Sequence, residues 1–147
     1  MVLGALSPNV LYALDFSSDA PLLFDKLCQE NNIPVLHPYN IGWAELITVI
    51  DPEGLSLDSI KNPEEDFNEV KMVEYALGYL NYWGIFSEWI NDVISKFKNE
   101  KENLSPPQLA VASWTLASMC THLLFDIATR RSYKRFPKFY LSSLMSI

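Results

Sequence analysis

The chain of 147 residues is 49% hydrophobic, 13% aromatic and 20% charged. That composition excludes an intrinsically disordered segment and fits one domain, residues 1–147, folding around its own core. The net charge of −7 is unevenly placed: residues 1–126 hold all 18 acidic groups and six basic ones, whereas 127–147 hold five basic groups and no acid.

Residues 1–61 read as short elements. Pro8–Leu14 and Ala20–Asn31 have the spacing of short amphipathic helices, the second with Leu23, Phe24, Leu27 and Cys28 on one side. Ser7-Pro8 and Asp19-Ala20-Pro21 each place a capping side chain before a proline, which the first helical turn tolerates. Ile33–Leu36 and Leu46–Ile50 are short and β-branched, the latter ending in an Asp51-Pro-Glu-Gly54 turn. They pair as a small hairpin, or Gly42–Ile50 is helical; the pattern supports both.

Residues 62–131 read as the core, a long antiparallel helix hairpin over about 62–98 and 105–131. Asn62-Pro63-Glu64-Glu65 and Ser105-Pro106-Pro107-Gln108 are capping boxes. Lys71, Glu74, Gly78, Asn81, Glu88, Asp92 and Lys96 trace one solvent stripe in three-four alternation, broken only by Ile85. Because the stripe keeps its phase across Gly84, the first helix is expected to run through unbroken. Beside it lie Tyr75, Tyr79, Tyr82, Phe86 and Trp89, an aromatic stripe suited to a core or to a protein interface. The second helix is apolar nearly all round, which predicts a central place in a bundle. The predicted fold class is therefore mainly α, a helical bundle, with the residue 33–50 hairpin left open. Residues 132–147 are a basic tail, whose segment Lys138–Ile147 reads as a last short helix or an ordered tail.

Residues 103–125 carry no charge, as a membrane span would, but the opening prolines and six polar residues favour a buried helix. Integral membrane insertion is disfavoured, and peripheral attachment through the tail stays open. The N-terminus has neither the charged leader nor the apolar run of a secretory signal. Cys28 and Cys120 form no CxxC pair. The expected setting is the cytoplasm.

Five glycines cannot assemble a P-loop or GxGxxG fingerprint, and GxSxG, HExxH, calcium-loop and paired Glu-x-x-His patterns are missing. No cofactor or metal is expected. His122 and Asp126, four apart on a helix, have the geometry of a base with its orienter, and Ser118 lies one turn earlier. A partly exposed surface pair explains them better, leaving a hydrolase as the third reading. Arg130, Arg131, Lys134, Arg135 and Lys138, interleaved with Tyr133, Phe136 and Phe139, suit an anionic partner. The leading expectation is a non-catalytic protein–protein interaction protein, docking on another protein or on its own copy. The runner-up is a nucleoprotein subunit that touches phosphate through those five cations.

Overall fold

The computed structural model describes residues 11–12, 19–62, 67, 69–85, 88–99 and 108–145. In chain order it contains β1 (Leu11–Tyr12), α1 (Ala20–Glu30), β2 (Val35–Asn40), β3 (Ala44–Ile50), a 3-10 turn (Leu57–Ile60), α2 (Glu69–Tyr82), α3 (Glu88–Asn99), α4 (Ala110–Ala128) and β4 (Phe139–Ser143). The fold is mixed α/β and not a helical bundle. Three antiparallel strands, β2, β3 and β4, form the sheet, and β1 adds two residues in parallel to the outer edge of β2.

Strand β3 explains the architecture. All seven of its residues are buried, so the sheet needs an apolar layer on each side. The register pairs Val35 with Ile50, His37 with Thr48 and Tyr39 with Leu46 on one face, and Leu36 with Val49 and Pro38 with Ile47 on the other. The first face gathers Leu22 and Cys28 of α1, Met72, Val73, Ala76 and Leu77 of α2, Ile90 of α3 and Phe139 of β4. The second receives Leu116, Cys120 and Leu123 of α4. The expected pairing of the 62–98 and 105–131 helices therefore fails because the sheet stands between them. Each helix finds its apolar partner on a strand.

Residues 35–50 form the hairpin, with Gly42 (φ 73°) providing the left-handed residue of its turn. The expected first long helix is broken at Trp83 and Gly84. Gly84 (φ 74°) is the residue after the α2 cap: its N–H bonds to the Asn81 carbonyl at 3.0 Å, and the Ile85 N–H bonds to Leu80 at 2.9 Å. Helices α1 and α4 end the same way, with Asn32 and Arg130 at φ 57° in the glycine position. Residues 11–12, read as helical, are strand, and Phe139–Ser143, within the segment read as a last short helix or an ordered tail, is strand. Asp19 precedes α1 without capping it; its carboxylate pairs with Lys61, which holds its pKa below the usual carboxylate value. The remaining expected caps at Ser7, Pro63–Glu65 and Ser105 lie outside the described residues.

Candidate interaction groove

The last turns of α2 present Tyr75 and Tyr79 toward the tail, and the tail presents Phe136 and Phe139 back. Tyr75 lies tilted against Phe136 at 5.6 Å between ring centres, Tyr79 meets Phe139 edge-on at 5.2 Å, and Tyr79, Trp83 and Tyr82 continue outward at 6.4 and 5.3 Å. The Tyr75 hydroxyl donates to the Pro137 carbonyl at 2.9 Å, and burial pushes its pKa up. The result is a ladder of rings running from the core to the surface. Edge-on ring pairs of this kind contribute about 1 kcal/mol each beyond the area they bury. At the outer end Tyr82 and Trp83 are 81% and 63% exposed.

Beside the Tyr79–Phe139 pair lies a groove of about 480 Å³ lined by those two rings with Leu80, Ile85, Lys134, Lys138 and Leu141. Its floor is apolar and its tail-side wall carries two ammonium groups. Lys134 is held in place by a bond from its Nζ to the Phe139 carbonyl at 3.2 Å, with the Tyr140 ring 4.9 Å away.

Asp51, buried at the end of β3, anchors the tail. Its Oδ2 accepts the Tyr133 hydroxyl at 2.7 Å and faces Arg135 Nε at 3.1 Å, while Oδ1 accepts the Glu53 N–H at 3.2 Å. Burial, then the hydrogen bond to Asp51 and its charge, push the Tyr133 phenol up to about 12. Arg131 lies over the Phe125 ring at 5.0 Å and 4.0 Å from Asp126. The five predicted cations thus divide. Arg131 and Arg135 face carboxylates of their own chain, and Arg130 lines a separate polar cleft with Asn31, Asn32, Asp51, Glu53 and Tyr133. Lys134 and Lys138 line the groove.

Of the predicted aromatic stripe, Tyr75, Tyr79 and Tyr82 belong to the ladder, Trp89 is half-buried against the core of α3, and Phe86 lies outside the described residues. His122 Nε2 is 3.2 Å from Asp126 Oδ2, with His122 71% exposed. Neither residue lines any of the three cavities described for this fold. The Ser118 hydroxyl donates to the Trp114 carbonyl at 3.2 Å, so it is bonded to its own helix. Among the described residues no three His, Cys, Asp or Glu side chains group as a metal site.

One polar pair escapes the sequence reading. His37 Nε2 is 2.5 Å from Asp25 Oδ1, and both residues are fully buried between α1 and β2. The signal is present, since Asp25 shares a helical face with Leu22 and Cys28, and His37 shares a strand face with Val35 and Tyr39. Two polar residues at core phases must find each other. Cys28 sits nearby, its thiol pushed up by burial and then by the Asp25 charge, the reverse of what a nucleophilic cysteine needs. Comparison of the chain with family models, curated proteins and solved structures finds no match.

Proposed function

We propose that this is a non-catalytic interaction protein that binds a partner protein in the groove between the end of α2 and the basic tail. The observation that supports it is the ring ladder, whose exposed end is Tyr82 and Trp83 and whose next ring, Tyr79, lines an apolar groove bearing Lys134 and Lys138. Tyr and Trp at an apolar site are the side chains that most often anchor protein interfaces. Two ammonium groups beside them select a segment that is both apolar and acidic. A phosphate-bearing partner is the weaker reading, because Arg131 and Arg135 are already engaged by carboxylates.

A photo-crosslinking amino acid at Trp83, introduced in the cells that make the protein, tests the proposal. The expected result is one discrete protein adduct, lost when Lys134 and Lys138 are changed to Glu and absent when the crosslinker is moved to Asp92 on α3. No adduct, a nucleic-acid adduct, or one indifferent to both lysines refutes it.

A further inference from the structure

Helix α4 carries an apolar stripe on one side and an uncharged, partly apolar stripe on the other. One, Ala112, Leu116, Cys120 and Leu123, is buried against the sheet. The other, Val111, Trp114, Ser118, Thr121, Phe125 and Ala128, is exposed along its whole length and keeps the three-four spacing of a coiled-coil seam. Trp114 is 75% exposed and Phe125 51%. The helix is long and apolar enough to cross a membrane by length and composition, yet its inner face is committed to the strands.

The outer face is also prepared for desolvation. Thr115, Ser118, Thr121 and Thr129 each donate their hydroxyl to the carbonyl four residues earlier, at 3.1, 3.2, 2.8 and 2.7 Å. Covering them strands no donor. From Ala110 to Phe125 the chain has no Asp, Glu, Lys or Arg.

We infer that this stripe is the contact between two copies of the chain, packed antiparallel about a twofold axis at Ser118. A twofold contact sets each surface against itself, so any net charge on it repels. On a chain of net charge −7, the outer face of α4 is a long surface that escapes this cost. The same negative charge opposes approach to an anionic bilayer. With the axis at Ser118, Val111 faces Phe125 of the second copy and Trp114 faces His122, so large side chains at the ends flank small ones at the crossing. Antiparallel packing also opposes the two helix dipoles favourably. Trp114 and Phe125 alone offer roughly 250 Å² per copy, about a third of the ~800 Å² that a standard interface buries on each side. The rest of the 19-residue helix face supplies further area.

The test uses the whole chain. Sedimentation equilibrium is expected to show a monomer–dimer equilibrium, and Trp114→Glu, with unchanged circular dichroism, shifts it to monomer. Ser118→Cys oxidises to a covalent dimer across the axis, whereas Val111→Cys, far from its own copy, does not. A wild-type chain that is monomeric at every concentration overturns the inference. So does crosslinking through Val111→Cys but not Ser118→Cys, or binding to neutral phosphatidylcholine vesicles without dimer formation. Because Lys134→Glu and Lys138→Glu leave α4 untouched, they are expected to abolish partner adducts while the dimer persists.

Discussion

Removing one member of the Asp25–His37 pair is expected to destabilise the protein more than removing both. Each side chain is fully buried, they meet at 2.5 Å, and Asp25 Oδ2 has no hydrogen-bond partner among the described residues. In His37→Leu the carboxylate stays in the core without its partner, a loss of about 3–5 kcal/mol. That is a fifth or more of the ~5–15 kcal/mol typical of a whole domain. Asp25→Ala takes away the carboxylate that the imidazole faces and should destabilise in the same direction. The double variant, Asp25→Ala with His37→Leu, keeps the summed side-chain volume and removes both polar groups, so its stability should lie within about 1 kcal/mol of wild type. Urea unfolding followed by circular dichroism measures all four corners of the cycle. At a denaturant slope of about 2 kcal/mol per molar, each single variant shifts the midpoint by roughly 1.5–2.5 M. If a single variant fails to fold in water, the ordering still holds, because the double variant must fold. Single losses below about 1 kcal/mol, or a double loss equal to their sum, would show that the pair is not coupled in the core.

Two helix ends give opposite expectations from one geometry. Gly84→Ala puts a Cβ where nothing lies within 4 Å, so its cost is the left-handed backbone alone, about 1 kcal/mol; Arg130→Gly relieves the same conformation and should stabilise by about 0.5–1 kcal/mol. Both are read from thermal or urea unfolding, and a shift of the same sign in the two would refute the reading. The raised Tyr133 phenol favours the neutral form in the folded state, so its contribution is complete below the ordinary value near 10 and lost as pH rises through about 12. Stability measured at about pH 9 and about pH 11 should therefore fall more in the wild type than in Tyr133→Phe; equal losses would assign the effect to other groups.

The sequence reached some of these elements and missed others for identifiable reasons. Helix α1 and the Asp51–Gly54 turn stand where spacing and turn residues place them. Strand β3 is buried on both faces, so it has no alternation to separate it from a helix. In α2 the solvent stripe stays in phase across the break by accident of spacing, and its single flaw, Ile85, marks the place where the helix ends. Strand β4 offers five residues with little to set them apart from a short helix. For the groove, both contributing sets of residues were legible, the aromatic stripe and the basic tail. Their meeting was not, since Tyr75 and Pro137 are 62 positions apart. The all-round apolar character of α4 is plain in its residues and suggests the middle of a bundle, but periodicity does not say whether the second stripe is covered by the same chain.

Strand β4 closes the sheet with residues very distant in the chain: Ser143 bonds to the Trp43 carbonyl across 100 positions. Bringing such ends together costs on the order of 4 kcal/mol of chain entropy before any contact rewards it, so this pairing is expected to form late in folding. The wall of the groove carrying Lys134, Lys138, Phe139 and Leu141 is made by the same stretch of chain. The groove is therefore expected only at the final stage of folding, and an incompletely folded chain has no such wall to offer.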